Sequence, residues 1–235
     1  MISFVIPIYN EEKNIAMLYQ ELIEVIHTNK FTYEIIFIND GSTDNSLSAI
    51  KGISQNNNNV KYISFKKNMG QSSALAAGFN HAIGDMIITM DGDLQNNPND
   101  IIEMLKYYGE YDMVIGWRYK RMDSLWKRFG SIVGNTFRNI FTNEKIRDTG
   151  CSLKIMKADM LKKIKMYKGL HRFLPTLMKL EGARIKEVKA THRPRINGKS
   201  KYNNFHRAVE GFFDVLAVRW MIKKHINYKI EDKNV

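Results

Sequence analysis

Five times within the first 116 residues a short apolar run breaks into a cluster of polar residues. The runs are Ser3 to Ile8, Tyr33 to Ile38, Val60 to Phe65, Met86 to Met90 and Asp112 to Gly116. A run such as Tyr33 to Ile38 is nearly all apolar, which belongs to a strand covered on both faces, as in a parallel sheet. Helical patterns fill the intervals. Ile15, Leu18, Leu22, Ile23 and Ile26 keep helical spacing, a second helix begins near Asn45, and Ser72 to Ile83 forms a small-residue helix suited to close packing on a sheet. Asn97-Pro98 caps and starts a fourth, carrying Ile101, Ile102 and Leu105. A β-α unit repeated with short links predicts a doubly wound, mostly parallel sheet with right-handed crossovers and helices on both faces.

In such a sheet, ligands sit outside the carboxyl ends of the strands. No G-x-G-x-x-G follows the first run and no Walker lysine loop is present, so a diphosphate must be held another way. The fourth run ends in Asp91-Gly92-Asp93-Leu94-Gln95, which delivers two carboxylates and an amide to that edge. Hard oxygen donors flanking a glycine suit Mg2+ or Mn2+, which bind through one or two carboxylates plus substrate phosphates. The plain alternative is an ordinary Asp-Gly turn.

The net charge of +12 hides an asymmetry. Residues 1–116 carry 7 Lys/Arg against 14 Asp/Glu, a net of −7, whereas residues 117–235 carry 29 against 10, a net of +19. The basic half points to a polyanion: phosphorylated substrate, an anionic membrane surface or nucleic acid. Residues 117–147 interleave Arg118, Arg128 and Arg138 with Trp126, Phe129 and Phe141, the pattern of a basic amphipathic helix. Ser152 to Met156 and Arg184 to Ala190 read as further strands, separated by two helical stretches, and Thr191 to Asn204 as a loop. Phe205, Val209, Phe212, Phe213, Leu216, Ala217 and Trp220 then form an apolar stripe trailed by Lys223, Lys224 and Lys229. That stripe predicts an interfacial helix; core packing or a dimer face over 205–222 is the alternative. The single Cys151 allows no internal disulfide and reads as a small buried residue, and no signal peptide or 18-residue apolar span is visible. A cytoplasmic protein, peripheral on the cytoplasmic membrane face, is the expectation. His171 and His192 form no pair at metal-ligand spacing.

Pro7-Ile8-Tyr9-Asn10-Glu11, Asn39-Asp40-Gly41-Ser42-Thr43-Asp44, Asn68-Met69-Gly70 and Asp91-Gly92-Asp93-Leu94-Gln95, in this order and spacing, resemble the inverting family-two glycosyltransferases of GT-A fold. Later motifs extend the resemblance to polyprenyl-phosphate sugar transferases, the group of dolichyl-phosphate mannose synthase and the bacterial undecaprenyl-phosphate enzymes. These are Gly116-Trp117-Arg118-Tyr119, Asp148-Thr149-Gly150-Cys151-Ser152-Leu153-Lys154, His171-Arg172-Phe173-Leu174-Pro175 and His192-Arg193-Pro194-Arg195 with Gly198-Lys199-Ser200-Lys201-Tyr202.

The resemblance implies a catalytic domain over 1–204, with a nucleotide-sugar half at 1–116 and an acceptor half at 117–204, followed by the helix and basic tail of 205–235. It implies a nucleotide pocket of Pro7, Tyr9, Asn10, Glu11, Asp40, Asn68, Gly70 and Asp91, with Asp40 accepting a hydrogen bond from the base. Asp91, Asp93 and Gln95 would hold Mg2+ or Mn2+ and the donor diphosphate, with Asp93, Arg118 and Arg138 catalytic. Arg118, Arg138, Arg195, Lys199, Ser200 and Lys201 would hold the acceptor phosphate. Asn39 stands where a second aspartate is frequent, which removes a charge but keeps hydrogen bonding. Many such enzymes carry transmembrane helices after the catalytic domain, and none follows here, so the chain is expected to meet its lipid from the surface. A UDP-sugar is favoured over a GDP-sugar, and a role in cell-envelope glycan synthesis is implied. Two alternatives stay open: a transferase of the same fold acting on a soluble or polysaccharide hydroxyl, with Asp93 or Asp148 as base, and a non-enzymatic nucleic-acid-binding module. The second lacks any recognisable binding motif, so no nucleic-acid partner is expected.

Overall fold

A computed structural model describes residues 1–119, 136, 138–142, 145–195, 204–226 and 231. The chain runs β1 (Ile2–Ile8), α1 (Ile15–Thr28), β2 (Tyr33–Asn39), α2 (Ser46–Asn56), β3 (Val60–Ser64), α3 (Gln71–His81), β4 (Met86–Thr89), α4 (Asp100–Leu105) and β5 (Met113–Arg118). It continues through β6 (Lys154–Lys157), α5 (Ala158–Leu161), a 3-10 turn (Leu170–Phe173), α6 (Leu174–Leu180), β7 (Ile185–Ala190) and α7 (Asn204–Lys224). The seven strands form one sheet in the order β3-β2-β1-β4-β6-β5-β7. Only β6 runs antiparallel to its neighbours, pairing Thr89 of β4 with Lys154 on one side and Ile115 of β5 with the same Lys154 on the other.

The unbroken apolar runs follow from this layering. Along β2, Ile35 and Phe37 face the core covered by α1, α2 and α4, while Ile36 and Ile38 face the one covered by α3, α5 and α6. All four are buried, and each contributes about 1.5–3 kcal/mol by leaving water. The small-residue helix lies very close to the sheet: a Cβ on Gly78 would come within 2.3 Å of Val5 Cγ1 and 2.9 Å of Ile38 Cδ1. At the amino ends of the strands, Glu34 is buried and satisfied, accepting from Ser3 Oγ (2.5 Å), Ile83 N (2.7 Å) and Lys61 Nζ (2.7 Å).

Two expectations change, and the core-packing alternative for the C-terminal stripe falls. The fourth helix starts at Asp100 rather than at Asn97-Pro98, because Asn97 Oδ1 accepts from Asn99 N (3.2 Å) and closes a turn first. The stretch read as one basic helix from residue 117 begins instead as the end of β5, and helix is described only around Arg138–Thr142. The apolar stripe near the C-terminus is not the face that packs on the domain. Val215 and Val218 bury against Leu170, Phe173 and Leu177, whereas Phe212, Phe213, Leu216 and Trp220 are exposed.

Candidate active site

The tips of β1, β2 and β4 and the loop after β3 converge at the carboxyl edge of the sheet. Side chains and backbone there lock the loops together before any ligand is considered. Asn10 N donates to Ser42 Oγ (2.9 Å) and Thr43 N donates to Asn10 Oδ1 (2.7 Å), while Glu11 N donates to Ser46 Oγ (2.9 Å). Asp40 accepts from Met69 N (2.7 Å), Gly70 N (2.9 Å) and Asn68 Nδ2 (3.1 Å). Those three bonds fill most of the roughly four acceptor positions of a carboxylate. Burial holds the Asp40 carboxyl above its usual value, against the pull of the Met69 and Gly70 bonds. They also fix Gly70 at φ +88°, from which α3 starts at Gln71.

The acidic pair occupies the tip of β4. Gly92 lets that tip rest on β1, since a Cβ there would meet Ile8 Cδ1 at 2.4 Å. Asp91 Oδ1 accepts from Gln71 Nε2 (2.9 Å). Asp93 Oδ1 accepts from Gln95 N (3.1 Å), and Asp93 Oδ2 accepts from Arg195 Nη2 (2.5 Å). The other arm of the same guanidinium, Nη1, lies 3.6 Å from Glu11 Oε1. Enclosure by the protein, and secondly the charge of Asp93, push the Asp91 carboxyl up to about 6.

Pro7, Tyr9, Glu11, Asp40, Asn68, Gly70, Asp91, Asp93 and Arg195 therefore line one cleft of about 410 Å3, joined by Ile8, Gln71 and Gly92. Asn10, Gln95, Arg118 and Arg138 are not among its lining residues. Asn10 ties the β1 tip to the β2 loop, and Gln95 Nε2 donates to Arg193 O (3.3 Å). Lys199, Ser200 and Lys201 lie outside the described residues. Sequence reasoning missed Gln71; its one signal is its place immediately after Asn68-Met69-Gly70.

Two arginines expected at an acceptor phosphate are engaged with protein groups. Arg118 grips Asp148 with both forks, Nε at 2.7 Å and Nη2 at 2.8 Å, and this pairing outweighs burial to raise its already high pKa. Arg138 is buried and donates to Thr149 Oγ1, Asn139 Oδ1 (3.0 Å) and Ile146 O (3.2 Å). Behind β4, the buried Lys154 donates to Cys151 O, and burial lowers its pKa while Cys151 and Asp91 oppose that. Burial likewise pushes the Cys151 thiol up to about 11, so it is no nucleophile.

The donor set fits a divalent ion. Among the described residues, four carboxylates, Glu11, Asp40, Asp91 and Asp93, line the cleft against one lining cation, Arg195. A nucleoside diphosphate entering such a cleft meets net repulsion unless a cation comes with it. Among the described residues no cluster of three or more His, Cys, Asp or Glu side chains has metal-binding geometry, so phosphate oxygens would have to complete the shell of an ion on Asp91 and Asp93.

Comparison with known proteins agrees with this geometry. Residues 3–165 match the family described as glycosyl transferase family 2. A dodecaprenyl-phosphate galacturonate synthase of Rhizobium johnstonii is 35% identical over 228 residues, spanning 94% of this chain and 67% of that protein. An undecaprenyl-phosphate 4-deoxy-4-formamido-L-arabinose transferase of Photorhabdus laumondii is 33% identical over 218 residues, spanning 92% of this chain and 67% of that protein. Among solved structures, glucosyl-3-phosphoglycerate synthase of Mycobacterium tuberculosis, in complex with Mn2+, UDP and glucosyl-3-phosphoglycerate, superposes with a TM-score of 0.71 at 15% identity. That superposition covers 97% of this chain and 81% of the other, and it shows a shared fold. The chain belongs to glycosyl transferase family 2, and it is a glycosyltransferase of GT-A fold.

Proposed function

We propose that this glycosyltransferase transfers a sugar, with inversion, from a nucleotide diphosphate to a polyprenyl phosphate at an anionic membrane surface. The observation that carries the reading is the likeness, at 33–35% identity over more than nine-tenths of the chain, to enzymes named for polyprenyl-phosphate acceptors. UDP is the donor nucleotide we favour over GDP. Pro7, Tyr9, Asp40, Asn68, Gly70, Asp91 and Asp93 line one cleft, which supports a nucleotide resting against the first five with its diphosphate beside the two acids. Mg2+ or Mn2+ held by those two carboxylates would supply Lewis-acid stabilisation of the departing diphosphate. Gln95 fixes Asp93 Oδ1 through its backbone N–H, and while its side-chain Nε2 donates to Arg193 O its amide oxygen remains a further ligand for the ion.

The acceptor needs no strong base. A phosphate monoester has its second pKa near 6, so near neutral pH its oxygens are already nucleophilic. What it requires is cations that place one oxygen behind the anomeric carbon, and in-line attack there inverts the centre. Arg195 lies in the cleft and leads into Gly198-Lys199-Ser200-Lys201, so it is the first candidate for that duty. Arg118 and Arg138 act at one remove, by holding Asp148 and Thr149. A hydroxyl acceptor would need a carboxylate base, and the two candidates, Asp93 and Asp148, each carry an arginine.

The test is transfer of radiolabelled sugar from UDP-sugars into an organic-phase product with undecaprenyl phosphate supplied. Product is expected with Mn2+ or Mg2+, and its loss is expected with chelator or with Asp91→Asn. Label that reaches only water-soluble products overturns the acceptor assignment, and full activity of metal-stripped protein overturns the metal assignment.

A further inference from the structure

We propose that Arg195 is a built-in counter-ion for Asp93, the second acid of the pair, which the divalent ion must displace, so that ion binding and release of this guanidinium are one event. The inference rests on the metal reading of Asp91 and Asp93. Arg195 sits 102 residues from Asp93 in sequence, yet its Nη2 lies 2.5 Å from Asp93 Oδ2. The remaining oxygen of Asp93 accepts from Gln95 N (3.1 Å), so Oδ2 is the oxygen left for an ion, and it is the one the arginine holds. The second arm of the fork reaches toward Glu11 Oε1 at 3.6 Å, so one guanidinium balances two of the four carboxylates lining the cleft.

A divalent ion and a guanidinium compete for that oxygen, because two cations within a few ångströms repel one another. The exchange also explains how the cleft tolerates its acids before the donor arrives: each like-charged pair needs a neighbour of opposite sign. A displaced guanidinium stays at the mouth, held there by the Arg193 N to Gln95 O backbone hydrogen bond (3.0 Å) two residues earlier. A phosphate is the partner its planar fork fits best. A nucleoside diphosphate should therefore strengthen ion binding in two ways, by ligating the ion and by accepting the released arginine.

The experiment measures Mn2+ binding by the free protein, using the electron spin resonance signal of unbound ion, for the wild type, Arg195→Ala and Arg195→Lys, with and without UDP. Without UDP, Arg195→Ala is expected to bind Mn2+ about tenfold or more tightly than the wild type, since the competing charge-assisted bond is gone. Arg195→Lys keeps a cation and should stay within about threefold of the wild type. UDP should tighten Mn2+ by a larger factor in the wild type than in Arg195→Ala. Equal or weaker Mn2+ binding by Arg195→Ala without UDP overturns the exchange while leaving the metal reading intact. Absence of Mn2+ binding in all three proteins, with UDP present, removes the metal reading and the exchange together.

Discussion

Gln71 donates from Nε2 to Asp91 Oδ1 at 2.9 Å, and this bond fastens the first residue of α3 to the tip of β4. The same helix start is set by Asp40, which accepts from Met69 N and Gly70 N. One short path of contacts thus joins the nucleotide wall to the acidic pair. Gln71→Ala removes a hydrogen bond to a charged group, worth about 1.5–3 kcal/mol, and should lower kcat/KM for sugar transfer roughly tenfold or more. Its melting temperature should fall by no more than about 10 °C, since each kcal/mol is worth about 2–4 °C in a chain of this size and the residue is only partly buried and fills no core position, so the rate is compared per folded molecule. Unchanged transfer kinetics would remove the positioning role.

The strands of this fold and the acidic tip of β4 are legible in the sequence because they rest on local patterns: apolar runs, and carboxylates at a run's end. What could not be read are contacts between distant segments. Nothing local says that Arg195 reaches Asp93, that Arg118 spends its fork on Asp148, or that Gln71 holds Asp91. The place of β6 was equally hidden, since pairing Lys154 with both Thr89 and Ile115 requires the chain to return after a long excursion and insert between β4 and β5. Which side of the C-terminal helix packs on the domain was hidden for another reason. That helix is apolar on two opposite sides, and periodicity alone cannot say which side the domain uses.

Gly78→Ala tests the close approach of α3 to the sheet. Alanine gains up to about 1 kcal/mol of helix propensity over glycine. Against that, its Cβ would overlap Val5 Cγ1 at 2.3 Å, and a β-branched side chain in a full core has little freedom to move aside. Overpacking of this kind costs about 1–3 kcal/mol. Net destabilisation of up to about 2 kcal/mol by urea unfolding is therefore expected, with the transfer rate per folded molecule unchanged. A stabilising result would mean that α3 sits further from the sheet.

Arg118→Ala leaves the carboxylate of Asp148 buried and without its bidentate partner. Breaking a buried pair on one side costs about 3–5 kcal/mol, more than removing both charges. A large fall in melting temperature is expected for Arg118→Ala, with part of it recovered in Arg118→Met combined with Asp148→Leu. Transfer by the recovered double variant separates the two duties of this arginine: activity near the wild type confines it to the fold, and its loss places it on the acceptor path.

Acid should destabilise this protein partly through Glu34. Burial opposes ionisation of that carboxyl, but hydrogen bonds from Lys61, Ser3 and Ile83 prevail and lower its pKa below the ordinary value. A group depressed in the folded state binds more protons when unfolded, so its stabilisation is complete above the unfolded pKa and lost as pH falls through the folded one. Urea midpoints measured from pH 7 down to pH 3 should fall less steeply in Glu34→Gln than in the wild type. The two slopes would coincide if Glu34 carried no such linkage. Because Glu34 stands at the amino ends of the strands, its replacement should leave the acid profile of sugar transfer unmoved until the protein unfolds.

The outer face of α7 is the part of the proposal most easily separated from catalysis. Val215 and Val218 already anchor the helix, assisted by Arg172 Nη2 on Asp214 Oδ2 at 2.7 Å. Phe213 and Trp220, each 64% exposed, contribute nothing to that anchoring. Lys223 and Lys224 follow at the helix end, and among the described residues no helix is long and apolar enough to cross a membrane. Each basic residue near an anionic surface adds about 1 kcal/mol of attraction, and each aromatic buried from water about 1.5–3 kcal/mol. Phe213→Ser with Trp220→Ser should therefore cut flotation with phosphatidylglycerol vesicles by tenfold or more, leave the melting temperature unchanged, and slow transfer to vesicle-borne polyprenyl phosphate. Transfer to a short-chain, water-soluble prenyl phosphate should be spared. Equal flotation of the variant would remove the lipid assignment, and a wild-type dimer that becomes a monomer on the same substitutions would give this face to a second copy of the chain instead.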